Sequence, residues 1–351
     1  MTNLSVERKK ERDSSIELFR IIATFAVLLV HFTGWFVGGI TNPHDSSLDL
    51  SFRMGQMIIE SLSIVCVNCF LIISGWYGMK LRFSSIWKLF TIIFFIYVPF
   101  QIIESIYTGH FSIRAFIDNA LVFTRESYFV QCYAMLLFLS PMLNSFIERY
   151  GKGILNYVLT FWGIEIIMEA IWDNKSLGFE NGYSFIHFIL IYLLARTAYL
   201  YKEYLLHIKR TYWIIGYFGC ATIICFLHVF RYNHTWDYSN PIVVIESFCL
   251  FFSFLYKSFY NKWINWIAGS TFAVYVMHTC DPLFSILWKA DNYLLDTYPY
   301  YVYLPCYLGL IILTFFFCIL YDKIRIKLTN RFTNIIYTRI NKKISHISLY
   351  E

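Results

Sequence analysis

Long apolar stretches separated by short polar segments set the plan of the chain from Ile16 to Tyr321. Ten of them are long enough, at about 17–25 residues, to cross a hydrocarbon layer about 30 Å thick. They are Ile16–Val37, Gly55–Gly78, Ser85–Ile106, Phe129–Ile147, Ile154–Trp172, Tyr183–Leu200, Tyr212–Phe230, Pro241–Phe259, Trp266–Leu287 and Tyr301–Tyr321. Pro141 falls in the second half of the fourth, which a membrane helix tolerates where its surroundings satisfy the freed carbonyl. The connections are too short for a soluble domain, and no repeat of fixed period stands out. The pattern predicts an all-α, polytopic membrane protein of about ten transmembrane helices. Residues 1–321 form a single membrane domain, and residues 322–351 form a basic tail.

Composition narrows the class. The chain is 58% hydrophobic, 21% aromatic and 15% charged, against about 25% charged in a soluble domain. A soluble enzyme and a disordered scaffold are excluded. The net charge of +6 sits in short loops and tails, so no nucleic-acid partner is expected. Of the 29 Lys and Arg residues, 22 fall on one side of the ten-span plan, six fall on the other, and Arg20 lies within the first span. Basic loops stay on the cytoplasmic side, so both termini are expected in the cytoplasm and the protein in the cell membrane. The first span is too long for a signal-peptide core and lacks a small-residue cleavage pattern, so it is expected to remain. Most of the cysteines lie in apolar runs. Cys66 and Cys69 form a CxxC without a second pair or a His cluster, so neither a disulfide framework nor a metal site is expected.

Ionisable groups inside spans are costly and become functional candidates by default. Arg20 and His31 lie eleven residues apart on the first span, which places both on one stripe roughly 16 Å apart along the axis. Arginine near the basic side suits an anionic head group. Histidine deeper in suits acid–base or nucleophilic work, its unperturbed pKa being about 6.5. Glu165 and Glu169, spaced i,i+4, share one face of the fifth span and are expected to line a hydrated cavity, orient a histidine or form a polar seam. His187 and His228, near predicted helix ends, are expected to bond a carbonyl or face water. Asp281, before Pro282, is expected to mark a break in the ninth span. Ser74-Gly75, ending the second span, permits close helix approach.

Taken together these pieces resemble the acyltransferase-3 family of integral membrane acyltransferases. Arg20 to His31 matches that family's R-x10-H signature. Phe70 to Gly75 is similar to its Phe-x-x-x-Ser-Gly stretch, and Tyr128-Phe129 leading to Ser140-Pro141-Met142-Leu143-Asn144 resembles its aromatic-start, S-P-x-L-N helix. Ser270 to His278 is similar to its S-T-F-x-x-Y-x-x-H motif. One departure is plain. Where many members carry two arginines three apart, this chain has Ser85 and Lys88, with Arg82 nearby.

The resemblance implies acetyl-CoA as donor substrate presented from the cytoplasm, with no other cofactor, and a cell-surface or lipid-linked glycan hydroxyl as acceptor. Arg20, Arg82 and Lys88 would bind the acyl-CoA. His31 would act as base or transient acyl carrier, with His278 as second polar contact or orienter and Glu165 or Glu169 fixing the active tautomer. Membrane lipids are the remaining partners, and the sequence sets no oligomeric state. The alternative is a glycan transporter or flippase without acyl transfer. Transporters often show paired halves, and none is evident here.

Overall fold

The computed structural model describes residues 12–36, 39, 44–45, 49–120, 128–173 and 178–344, and every described element is helical. Arg8, Lys9, Lys10, Arg125 and Lys175, which enter the charge bias above, lie outside the described residues. Among the described residues, six helical runs are long and apolar enough to cross a membrane: Ser14–Gly34, Leu50–Tyr77, Phe83–Thr108, Tyr128–Glu169, Arg210–Val229 and Tyr300–Lys342. Two shorter apolar helices, Phe185–Leu200 and Pro241–Ser253, accompany them.

Local chemistry explains where these runs begin, turn and break. Helix α1 (Ser14–His31) starts at Asp13, whose carboxylate accepts the Ser15 amide at 3.0 Å. It passes directly into a π-helical turn, Phe32–Phe36. The second run is α2 (Leu50–Ser63) and α3 (Cys66–Tyr77), parted by a turn at Ile64-Val65. Asp49 caps α2, and its bonds from the Ser51 hydroxyl and amide hold its carboxyl below the ordinary carboxylate range. Helix α4 (Phe83–Thr108) leads to the short α5 (Ile113–Ala120).

Helix α6 (Tyr128–Tyr150) runs unbroken through Pro141. Proline cannot donate to the carbonyl four residues back. That carbonyl is Leu137's, and the Ser140 hydroxyl donates to it instead at 2.7 Å. The chain then turns at Gly151 (φ 53°) into α7 (Leu155–Ile166) and a second π turn, Ile167–Ile171. It doubles back: the Lys152 ammonium lies over the rings of Tyr201 and Tyr204, while Glu169 reaches the loop at Asn181.

Helices α8 (Phe185–Leu200), α9 (Lys202–His207), α10 (Arg210–Val229) and α11 (Pro241–Ser253) follow. The ninth predicted span is not one helix. It is α12 (Lys262–Ala268), α13 (Thr271–Met277) and the start of α14 (Leu283–Thr297), interrupted at Gly269-Ser270 and again across His278–Pro282. The last helix, α15 (Tyr300–Ile344), extends through most of the segment expected as a tail.

Packing divides around α1. Phe19, Ala23 and Val27 join a core with α3, α8 and α11, where Trp76 meets Phe251 and Tyr199 edge-on. Leu28, and Phe32 and Phe36 just beyond α1, join a second core with α4, α13 and α15. In lipid, helices associate mainly through close fit. At Gly75 that fit is tight, since a Cβ would fall 2.5 Å from the Tyr192 carbonyl oxygen and 2.7 Å from the Ala195 Cβ. The small pair Ser74-Gly75 thus sets the α3–α8 approach, and α1 is left as the shared wall of both cores.

Candidate active site

A cavity of about 610 Å³ opens at the end of the bundle where α1 begins. Arg12, Lys80, Ser85 and Lys88 stand at its mouth with Arg20 and Glu17, and Phe70, Leu89, Ile92, Phe129 and Phe272 line its apolar depth. Arg20 is held by Glu17, one helical turn earlier, at 2.5 Å. Four cations against one carboxylate make the mouth electropositive, and clustered charge in a cleft focuses its field.

The family-like residues of α6 turn out to hold this mouth in place. The Asn144 side-chain amide donates to the Met79 carbonyl at 2.8 Å, and its oxygen accepts the Tyr192 hydroxyl at 2.7 Å. The Met79 amide in turn donates to the Tyr192 oxygen at 3.1 Å. Gly78 turns the chain there with φ 72°, a conformation that favours glycine. Lys80 is thereby fixed beside the cavity. Of the three expected anion contacts, Arg20 and Lys88 line the cavity, and Arg82, exposed just before α4, does not. Arg12 and Lys80 line it as well, which spacing alone could not reveal because they lie on different segments.

Deeper in the bundle His31, on the last turn of α1, meets His278 at the end of α13. His31 Nδ1 and His278 Nε2 are 2.6 Å apart. Their ring centroids lie 4.9 Å apart with planes 27° from parallel, so the rings touch edge to edge through one hydrogen bond. His278 Nδ1 is 2.8 Å from the Val274 carbonyl. A carbonyl only accepts, so Nδ1 of His278 carries hydrogen, and in the neutral ring its Nε2 accepts. His31 then donates from Nδ1, and its own Nε2 holds the ring's lone pair. The break after α13 makes this possible, because the chain leaves the helix at His278. His278 is buried (1% exposed) and His31 is half-buried. Phe129 lines the cavity, its ring centroid is 4.9 Å from that of Tyr275, and the Tyr275 ring lies 6.1 Å from His278. One tyrosine therefore stands between the cavity and the histidine pair.

Glu165 and Glu169 belong elsewhere. Glu165 Oε1 is 2.8 Å from Nδ1 of His187, whose Nε2 is 2.9 Å from Asn68 Oδ1. Asn68 donates its amide to the Tyr238 carbonyl at 2.9 Å. Glu169 Oε1 accepts the Asn181 amide at 2.7 Å. The α-to-π transition after Ile166 falls between the two acids. The two acids thus serve one buried network through different partners, and the histidine that Glu165 contacts is His187. His187, expected to bond a carbonyl or face water, is wholly buried and bonds the carbonyl oxygen of the Asn68 side chain. The signal that could have found this centre is Asn68, an amide within the second span.

Membrane-crossing helices arranged around a deep, cation-mouthed cavity make this a multi-pass membrane protein. The chain belongs to the acyltransferase-3 family of membrane acyltransferases. The family model, described as an acyltransferase domain, matches residues 13–323. That stretch takes in Arg20, His31, Glu165, Glu169, His187 and His278 alike. No curated protein and no solved structure matches the chain.

Proposed function

We propose that the protein transfers an acyl group, acetyl by default, from acetyl-CoA to a hydroxyl of a cell-surface or lipid-linked glycan in the cell membrane. The donor's phosphates lie among Arg12, Arg20, Lys80 and Lys88, on the cytoplasmic side by the charge bias of the loops, and its pantetheine arm follows the apolar depth toward Phe129. The observation that carries this reading is the chain of bonds from His31 through His278 to the Val274 carbonyl. A general base needs a lone pair held in place near the reacting proton, and this chain supplies one at Nε2 of His31. Nε2 takes the acceptor's hydroxyl proton as its oxygen attacks the thioester carbonyl. The C–S bond breaks, and the leaving thiolate takes the proton back. The ester and free CoA are the products, and no charge is left over.

The test compares membranes from cells with and without the gene, supplied with labelled acetyl-CoA, and weighs the envelope glycans by mass spectrometry. Label and a one-acetyl mass increment that depend on the gene support the proposal. Glycans without gene-dependent label or acetyl increment overturn it, and a transporter predicts no such label.

A further inference from the structure

The buried network at His187 does something the transfer chemistry leaves unexplained: it fixes two loops at the end of the bundle opposite the cavity mouth. The Asn181 amide is held by Glu169, the Tyr238 amide donates to the Asn181 carbonyl at 3.1 Å, and Asn68 holds the Tyr238 carbonyl. Between these loops Gly182 has φ 83°, and a Cβ there would fall 2.5 Å from the Tyr238 Cβ. The loops are therefore pressed together and bonded from below.

What they present is aromatic. Tyr183 is 43% exposed, and its ring lies 4.9 Å from Tyr238 and 5.1 Å from Tyr128. Tyr128 precedes Phe129, whose ring abuts Tyr275, next to His278. Tyrosines that merely anchor a protein in the interface run around its girth. This series runs inward, from an exposed ring to the histidine pair, and meets the donor cavity at Phe129. Exposed Glu180 stands at the same turn, its carbonyl accepting the Tyr183 amide at 2.8 Å.

We propose that Tyr183 and Tyr128 form the acceptor subsite, a platform for the face of a pyranose ring on the side opposite the donor's entry. A sugar face of C–H groups packs on an aromatic ring, while its rim of hydroxyls bonds to carboxylate, amide and phenol groups such as those of Glu180, Asn181 and Tyr128. One hydroxyl then points inward past Tyr275 to His31. The identification of this surface with the second substrate rests on the acyl-transfer reading.

Two measurements on the full-length protein in lipid nanodiscs separate the claims. The probe is envelope polysaccharide purified from cells lacking the gene. Its equilibrium binding is measured directly, and its labelling from acetyl-CoA is followed kinetically. Tyr183→Ala is expected to weaken polysaccharide binding and raise the polysaccharide KM roughly ten-fold, the effect of about 1.4 kcal/mol, with the acetyl-CoA KM unchanged. Tyr183→Phe keeps the ring and is expected to stay near wild type. Unchanged polysaccharide binding in Tyr183→Ala, or an equal rise in both KM values, overturns the subsite. Polysaccharide binding that depends on Tyr183 without any labelling supports the platform and overturns acyl transfer instead.

Discussion

His31 and His187 are both imidazoles set among apolar helices, and their hydrogen bonds end differently. From His187 the bonds run to acceptors in both directions, Glu165 on one side and Asn68 on the other. Asn68 donates its amide elsewhere, so its oxygen accepts from Nε2, and one proton is shared between Nδ1 and Glu165. Whichever atom holds that proton, the pair carries no net charge, and both ring nitrogens are committed. At His31 the bond from Nδ1 runs to His278 and on to the Val274 carbonyl, which makes Nε2 the basic nitrogen of the ring. The His187 bonds join three helices, and breaking them exposes buried polar groups; the His31–His278 bond instead fixes which nitrogen of His31 is basic. Burial of an ionisable side chain in a membrane core therefore does not by itself distinguish a fastening from a reactive group. The direction of its hydrogen bonds does.

The sharpest way to break this comparison is to remove each ring in turn. His31→Ala is expected to lower acyl transfer by about 10²–10⁴-fold, the usual worth of a positioned base, with the unfolding temperature in detergent close to wild type. His187→Ala leaves Glu165 buried without its partner, and losing one member of such a pair costs about 3–5 kcal/mol. Its unfolding temperature is expected to fall well below that of His31→Ala, with residual transfer in whatever folds. If the two variants trade places, with His31→Ala unfolding early and His187→Ala stable but inactive, the assignment of roles is reversed.

The sequence carried one of these centres more plainly than the other, for a physical reason. Arg20 and His31 lie on one continuous helix, so their spacing survives folding, and each is chemically conspicuous in an apolar run. The His187 centre is assembled from α3, α7 and α8, and no spacing within one segment announces it. The pair Glu165 and Glu169 illustrates the limit: i,i+4 spacing relates the two acids to each other, but it cannot name their partners, His187 and Asn181, which come from another helix and the loop before it. The helical class and the break at Pro282 were legible because apolar length and proline act locally. The extension of α15 through residues counted as tail was not, since a basic, polar stretch gives no length signal of its own. Arg12 and Lys80 were likewise invisible as cavity residues, because the Asn144–Met79–Tyr192 bonds that place Lys80 span three segments.

Replacing His278 sharpens the contrast from within the first centre, since this residue acts on the reaction only through His31. His278→Ala removes the acceptor for His31 Nδ1–H and frees the ring to turn, with an expected loss of roughly ten-fold or more in kcat and little change in the acetyl-CoA KM. His278→Gln offers an amide oxygen to His31 and an N–H to the Val274 carbonyl, so it is expected to recover much of the rate. Equal losses in the two variants would mean that the imidazole of His278 is needed for its own chemistry.

The smallest effect belongs at the cavity mouth, where no single group is indispensable. Lys88 is solvent-exposed and lines the cavity with Arg12, Arg20 and Lys80, and exposed charge contacts are each worth up to about 1 kcal/mol. Lys88→Ala is expected to raise the acetyl-CoA KM by about two- to five-fold and to leave kcat unchanged. The shift should shrink as salt rises, because screening weakens exposed contacts first. Lys88→Arg restores a fork that grips phosphate through two bonds and is expected to lower the KM to wild type or below. Initial rates against acetyl-CoA concentration at low and high salt decide the point. A fall in kcat with Lys88→Ala would place this lysine beside the reacting thioester rather than at the entrance, and would require the donor to lie in the cavity the other way round.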